Sequence, residues 1–162
     1  MRVILAMTMA TGLAVSACAR PVPEAAPAPQ PALYPGETPE LRRMIRASAA
    51  EHDIPEALLH RVIQRESDYR PAARSGPYWG MMQILPQTAR TMGFRGEPAR
   101  LLDPEVNLRY AGRYLRGAWL VSDGDIDRAV MWYARGYYYE ARDRCMLVET
   151  GLAQREVARH CR

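Results

Sequence analysis

The chain has 162 residues, of which 48% are hydrophobic and 25% charged, enough for one domain with a single modest core. All of its cationic side chains except histidine are arginine, and the absence of lysine excludes a Schiff-base lysine, a phosphate-loop lysine and a Ser-Lys dyad. The formal net charge of +4 is small and is spread without a basic block, so nucleic-acid binding has little support. A mildly basic surface suits an anionic polymer or an anionic lipid.

The first 17 residues have the pattern of an export signal. Arg2 supplies a positive charge, and the apolar run over residues 3–15 is too short to span a bilayer as a mature helix. The run ends in VSAC, which resembles the lipobox of bacterial lipoproteins, where cleavage exposes a lipidated cysteine. We therefore predict a signal peptide over residues 1–17 and lipidation of Cys18. An ordinary secretory signal that contains a cysteine is the alternative, and both predict export.

A proline-rich segment follows. Residues 19–39 hold seven of the thirteen prolines, mostly among alanines. This composition cannot bury a core and favours extended polyproline II. We predict a semi-rigid tether over residues 18–38, which would lift a domain over residues 39–162 away from a membrane anchor.

Helix-start signals recur along the predicted domain. A cap, a first-turn proline and an acid occur together at residues 38–40 and again at residues 103–105, and a further helix is predicted from Asp125. A short helix is predicted from Pro86 to Gly93, and residues 142–162 are predicted to be helical with one break. No run alternates long enough to predict a strand, so the predicted fold is mainly α with little or no sheet.

The most informative stretch is a helix predicted from Pro55 to Arg70. Leu59 and the apolar residues after it recur at helical spacing, and Glu66 follows Leu59 by seven residues, on the same stripe. A carboxyl on an apolar face is partly desolvated, so its pKa rises and it can donate a proton at neutral pH. The alternative is that Glu66 only ends the helix and pairs with Arg70 at i+4.

Three short motifs stand in order around this carboxyl. They are the Glu66-Ser67 pair, the segment GMMQ at residues 80–83, and Tyr133 within WYARG at residues 132–136. Together, over roughly residues 50–140, they resemble the catalytic domain of lytic transglycosylases, the goose-type-lysozyme-like enzymes that cleave peptidoglycan. The resemblance implies a lysozyme-like helical domain.

The resemblance also implies a reaction. A single acid, here Glu66, would protonate the β-1,4 bond between N-acetylmuramic acid and N-acetylglucosamine and then act as base on the C6 hydroxyl, giving 1,6-anhydromuramic acid without cofactor or metal. A second carboxylate is hard to find, because Asp68 points away on a helix and Asp103 and Asp125 have the pattern of helix caps. The alternatives are a hydrolytic muramidase and an envelope lipoprotein that binds peptidoglycan without cleaving it.

The same resemblance assigns roles to residues around the acid. Ser67 would donate a hydrogen bond near the cleaved sugar or be a polar residue of the last helical turn, and Gln83 would hydrogen-bond the sugar. Gly80 would let the backbone approach it. Tyr133 would hydrogen-bond the catalytic carboxyl or be purely structural.

Aromatic residues supply further candidates for sugar binding. Tyr78 and Trp79 are flat faces on which sugars can stack, although core packing explains them equally well. The family usually has an asparagine after its tyrosine, where this chain has Ala134. Tyr137, with the two tyrosines that follow it, is predicted to replace the lost contact.

Cys145 and Cys161 remain as a pair if Cys18 carries lipid. In an oxidising compartment two such cysteines most simply form a disulfide. A metal site is the competing interpretation, but the three histidines show no ligand spacing with them. The expected location is the bacterial periplasm, on an outer-membrane lipid anchor, with peptidoglycan strands as partner.

Overall fold

The computed structural model describes residues 31–161, and the predicted signal peptide, Cys18 and most of the predicted tether lie outside this range. The described chain is mainly α, as predicted, and the fold is consistent with a lysozyme-like domain. Its helices are α1 (Pro39–Glu51), α2 (Glu56–Glu66), α3 (Pro86–Thr91), α4 (Pro104–Val121), α5 (Ile126–Arg135) and α6 (Tyr138–Asp143), with 3-10 turns at Pro98–Leu102 and Arg159–Cys161. An antiparallel pair of two-residue strands, β1 (Arg74–Ser75) and β2 (Tyr78–Trp79), lies between α2 and α3. None of the described helices is both long and apolar enough to cross a membrane.

Three helices begin where local capping predicts. The side chains of Thr38, Asp103 and Asp125 each accept a hydrogen bond from a backbone N–H three residues on, at 3.1, 3.1 and 2.9 Å. A proline occupies the first turn of α1 and of α4, where its missing N–H costs nothing. The predicted starts of α1, α4 and α5 are therefore confirmed.

The core lies between four helices. The helix α4 packs against α1 and α5, and the helix α2 packs against the same two helices. The side chains of Ile45, Leu59, Ile63 and Leu115 are fully buried between them. Burying side chains of this size stabilises the fold by about 2 kcal/mol each. This core holds the end of α2, and with it Glu66, against the rest of the domain.

The helix that carries Glu66 is shorter than predicted at both ends. It starts at Glu56 with Pro55 as its N-cap, and no side chain caps this end. It ends at Glu66 rather than near Arg70, because the two residues after its C-cap, Asp68 and Tyr69, have φ of +53° and +60°. These left-handed conformations turn the chain out of the helix, and the Tyr69 ring is then buried beside α2.

The C-terminal segment is not the predicted helix. After α6 the chain forms turns and then the short 3-10 turn Arg159–Cys161. Cys145 and Gly151 both have positive φ, which a continuous helix does not allow. Cys145 and Cys161 are joined in a disulfide with their Cα atoms 5.4 Å apart, as predicted. The covalent bond holds the segment in a closed loop.

The described compact unit begins at Ala32, seven residues before the predicted domain start. The Tyr34 ring stacks with Tyr69 and contacts His60 of α2. Glu37 is buried and pairs with the Arg42 guanidinium of α1. Burial alone would raise the pKa of Glu37, but hydrogen bonds from Arg42 and from a backbone N–H outweigh it, so the pKa is lowered. Residues 32–38 thus pack on the domain as a strap instead of ending the tether.

Candidate active site

Glu66 is the last residue of α2, and its carboxyl is partly buried. The side chain is 22% exposed, and its nearest cation is the Nε atom of Arg65, 3.6 Å from Oε1. Burial raises the pKa of the carboxyl, and the Arg65 charge partly opposes this rise. The group therefore keeps a proton to higher pH than an exposed glutamate, while its exposed fraction stays accessible to a substrate.

The turn that carries Met81 and Met82 lies against the end of α2. The Ser67 hydroxyl donates to the Met81 carbonyl at 2.7 Å, and the Tyr133 hydroxyl donates to the Met82 carbonyl at 2.8 Å. Both methionine side chains are fully buried, as expected for residues packed beneath a groove. The residue after Glu66 and the tyrosine of α5 thus fix the same turn.

Asn107 of α4, which the sequence patterns did not identify, is a third residue that fixes this turn. Its fully buried amide accepts from the Met82 N–H at 2.8 Å and donates to the carbonyls of Trp79 and Leu101 at 3.0 and 2.9 Å. The sequence did contain a signal, since this asparagine lies on the apolar stripe of α4, four residues before Ala111.

Gly80 is required by this arrangement rather than by an approach to sugar. It is buried with φ of +76°, and a Cβ atom there would lie 2.1 Å from the Leu101 carbonyl oxygen and 2.2 Å from the Asn107 amide nitrogen. No other residue fits such contacts. The close contacts of Gly80 in the structure are with the chain itself, and the approach of its backbone to sugar stays a prediction.

An open cavity of about 190 Å³ lies between this turn and α5. Gln83 lines it with its amide nitrogen held by the carbonyls of Ala73 and Gly80 at 3.1 and 2.7 Å. That leaves the amide oxygen as a free acceptor among the described residues. The lining residues are Tyr78, Gln83, Ile84, Leu85, Thr88, Tyr114, Tyr133, Ala134, Arg135 and Gly136. We call this cavity the groove.

Glu66 does not itself line the groove, but it lies close to a residue that does. Burial, and next the charge of Glu66, raise the pKa of Tyr133 well above its ordinary value, so the phenol stays neutral. The Tyr133 hydroxyl donates to Met82, and the described contacts include no hydrogen bond between Tyr133 and Glu66. The phenol oxygen of Tyr133 can still accept a hydrogen bond from another group.

The aromatic residues that were predicted to contact sugar differ in how far their rings are exposed. Tyr78 is 43% exposed and lines the groove, whereas Trp79 has the Arg74 guanidinium 3.6 Å from its ring centroid, which occupies one face. Tyr137 is buried, and its hydroxyl donates to the Tyr114 carbonyl at 2.7 Å. A direct contact between Tyr137 and sugar, as predicted, is not compatible with this burial, because the ring is packed against α4.

No carboxylate lines the groove in the described part of the chain, and no carboxyl other than Glu66 is placed to act beside it. Asp103 and Asp125 cap helices, as their sequence pattern predicts. Asp68 is exposed and follows the end of α2 in a left-handed conformation. Glu66 is therefore the carboxyl best situated for proton transfer at this site.

A set of three possible metal ligands occurs at the C-terminal loop. Cys145, His160 and Cys161 bring one ligand atom each within 4.8 Å of one another, a proximity that the sequence spacing did not suggest. In the structure the two sulfur atoms are bonded to each other, and His160 Nε2 lies 2.9 Å from the Asp143 carbonyl oxygen. The cysteines are engaged in the disulfide rather than offered as thiolates.

The fold and the site define a class: a lysozyme-like helical domain with one partly buried acid beside an open groove. The sequence matches the family described as Transglycosylase SLT domain over residues 43–143. The chain belongs to this family.

Curated relatives match over a shorter region. Proteins named membrane-bound lytic murein transglycosylase C from Yersinia pestis (strain Pestoides F) and from Yersinia pseudotuberculosis serotype O:1b (strain IP 31758) are each 35% identical over 80 residues. The aligned region is 44% of this chain and 22% of each relative, so the chain matches about a fifth of the length of those proteins. No solved structure matches the chain.

Proposed function

We propose that the chain is a peptidoglycan lytic transglycosylase with Glu66 as its single general acid and base. The observation that carries the proposal is the partly buried Glu66 carboxyl, with its raised pKa, close to Tyr133 of a groove that no described carboxylate lines. Membership of the SLT family and the names of the relatives support the same activity.

In the first step the protonated Glu66 gives its proton to the glycosidic oxygen between N-acetylmuramic acid and N-acetylglucosamine. The C–O bond on the muramic acid side breaks, and the N-acetyl group of that sugar assists at the anomeric carbon. Because the substrate supplies this assistance, a second protein carboxylate is not needed. Because its pKa is raised, Glu66 keeps its acid form to higher pH than an exposed glutamate does.

In the second step the Glu66 carboxylate takes the proton of the C6 hydroxyl of the same muramic acid. The C6 oxygen then attacks the anomeric carbon and displaces the assisting N-acetyl oxygen, which closes the 1,6-anhydro ring and leaves Glu66 as the acid again. The neutral Tyr133 phenol, fixed by its bond to Met82, can accept a hydrogen bond from the protonated carboxyl and hold it in place.

Gln83 and Tyr78 are the proposed sugar contacts. The amide of Gln83 has a free oxygen for a sugar hydroxyl, and Tyr78 offers an exposed ring for stacking. Ser67, Gly80 and Tyr137 are proposed to position the site through their buried contacts, without touching sugar.

An envelope location is part of the proposal. The VSAC motif supports lipidation of Cys18, and the relatives carry "membrane-bound" in their names. We propose a periplasmic enzyme with an outer-membrane lipid anchor. Cys18→Ser should abolish labelling by a fatty-acid analogue, and unchanged labelling and membrane fractionation would rule the anchor out.

Digestion of purified sacculi by the wild type and by Glu66→Gln tests the reaction. Mass spectrometry should find products ending in 1,6-anhydromuramic acid with the wild type, and a rate lower by roughly a thousandfold with Glu66→Gln, since the amide cannot donate and accept the proton. Glu66→Gln should keep its fold and bind sacculi. Reducing muramic acid ends would instead indicate a hydrolase, and sacculi that are bound but never cut would indicate a binding protein.

A further inference from the structure

A second open pocket, of about 320 Å³, adjoins the groove. It is lined by Arg61, Arg65, Asp127, Val130, Met131, Ala134 and Arg135. Ala134 and Arg135 also line the groove, so the two cavities meet at the end of α5. The pocket therefore opens beside the site proposed for glycan cleavage.

Two of the arginines in this pocket make no side-chain hydrogen bond to a described residue, although Arg65 forms an ion pair with Glu66. Arg65 is 53% exposed, and its closest carboxylate oxygen, on Glu66, is 3.6 Å away, beyond hydrogen-bond distance. Arg135 is exposed and makes no side-chain hydrogen bond or ion pair with any described residue. Arg61, by contrast, is held by Asp127 at 2.6 Å.

The charges of the pocket leave a positive excess. Its three arginines face one carboxylate, Asp127, which is already paired with Arg61. A guanidinium presents a planar fork of N–H donors that matches a carboxylate in two parallel hydrogen bonds. The guanidinium groups of Arg65 and Arg135, whose N–H donors make no hydrogen bond to a described residue, thus make the pocket suited to carboxylate-bearing groups.

We propose that Arg65 and Arg135 bind the free carboxylates of the peptide stems on the glycan strand, so that peptide-bearing peptidoglycan is preferred over stripped glycan. The proposal rests on the function proposed above, because it assumes that glycan lies in the groove. A stem attached to a muramic acid near Glu66 projects from the strand, and the adjoining pocket is large enough for a short peptide.

Initial cleavage rates on intact sacculi and on glycan strands freed of peptide by an amidase test the preference. The wild type should cleave intact sacculi faster, and the preference should weaken as salt is added. Arg135→Gln should reduce the ratio of the two rates about fivefold, the scale of one exposed ion pair. Arg135→Lys should retain part of the preference because it keeps the charge. Arg109→Gln removes another exposed arginine, one that lines neither of the two cavities, and should leave the ratio unchanged.

A binding measurement separates this proposal from the proposed function. In the inactive Glu66→Gln background, sedimentation should show tighter binding to intact sacculi than to stripped glycan, and Arg135→Gln should remove most of that difference. Equal binding of both polymers, or equal effects of Arg135→Gln and Arg109→Gln, would overturn the carboxylate site. Failure of the wild type to cleave either polymer would refute the enzyme activity, while the sedimentation result would still decide the binding site.

Discussion

At the scale of single residues, two effects of opposite sign act on the pKa of Glu66 at the end of α2: its own burial and the charge of its neighbour Arg65. Burial of the Glu66 carboxyl raises its pKa, and the Arg65 guanidinium 3.6 Å away lowers it. The balance matters for a group that must first donate and then accept a proton, since the best catalytic pKa lies near the working pH. Arg65 is therefore expected to adjust the pKa of Glu66 as well as to bind substrate.

Replacing Arg65 with Gln should move the pH profile of cleavage. Removal of the positive charge raises the pKa of Glu66 further, so the loss of activity on the alkaline side should begin at higher pH than in the wild type. Arg109→Gln is the matched control, because its charge is remote from Glu66, and it should leave the profile in place. An alkaline limb of Arg65→Gln that coincides with the wild type would show that Arg65 does not act on the acid.

The raised pKa of Glu66 also has a consequence for folding. Because the folded state binds this proton more tightly than the unfolded chain does, the contribution of Glu66 to stability is greatest at low pH and is lost as the pH rises through its folded-state pKa. Glu66→Gln removes the titration, so its melting temperature should match the wild type in acid and exceed it at neutral pH. Melting curves measured across this pH range test the direction of the effect. A wild-type melting temperature that rises relative to that of Glu66→Gln as the pH increases would contradict the prediction.

At the scale of elements, the turn at residues 79–84 is where α2, α4 and α5 are joined by hydrogen bonds. Ser67, which directly follows α2, Tyr133 of α5 and Asn107 of α4 all hydrogen-bond its backbone. A chain segment with little regular structure thereby acquires a defined conformation, since each bond satisfies a backbone group that would otherwise be buried without a partner. The geometry of the groove depends on this convergence.

Asn107→Ala should destabilise the domain and slow cleavage. The change leaves the Met82 N–H and the carbonyls of Trp79 and Leu101 without their partner, at a cost of roughly 3 kcal/mol or more. Denaturant unfolding and steady-state rates measure the two effects, and Gln87→Ala, at an exposed amide of α3, should change neither. Wild-type stability in Asn107→Ala would mean that the turn does not rely on this side chain.

The C-terminal loop depends on its disulfide in a similar way. Replacing both Cys145 and Cys161 with Ser should lower the free energy of unfolding by roughly 3 kcal/mol, because the bond closes a loop across a separation of 16 residues. For a domain of this size that is a fall in melting temperature of roughly 10 °C. Thiol titration of the exported protein should find neither of these cysteines free, and two titrating thiols in that protein would refute the bond.

At the scale of the whole molecule, residues 32–38 belong to the folded unit and reach the helix that carries Glu66. Tyr34 contacts His60 of α2 and Tyr69 beyond its end, while Glu37 pairs with Arg42 of α1. The strap therefore connects the first two helices and the turn that follows Glu66. The proline-rich stretch of residues 19–39 conceals this, because the contacts come from a few side chains near its end, Tyr34, Glu37 and the helix cap Thr38.

Comparing fragments that start at Ala32 and at Pro39 tests the strap. The longer fragment should melt like the full chain, whereas the shorter one should melt lower by roughly 5 °C or more, because it removes the carboxylate that pairs with the buried Arg42. Glu37→Gln in the full chain should reproduce part of this loss. Equal melting of the two fragments would place the domain start at Pro39, as the sequence predicted.

The sequence by itself determined the features that depend on neighbours along the chain. A cap acts across three residues, so the starts of α1, α4 and α5 could be predicted from Thr38, Asp103 and Asp125 alone. Helical spacing identified the apolar face of α2 and the partial burial of Glu66, and the count of cysteines indicated the disulfide. The mainly α class followed from the same local patterns.

Only the tertiary structure decided the features that depend on residues distant in sequence. The Ser67 hydroxyl reaches Met81, Tyr137 is buried against Tyr114, and Asn107 reaches back to Met82 across 25 residues. The exits from α2 and α6 required left-handed residues that are not glycine, at positions where local propensity favours neither a helix nor its end. Such conformations persist because buried contacts elsewhere compensate for their cost, and those contacts exist only once the helices have packed.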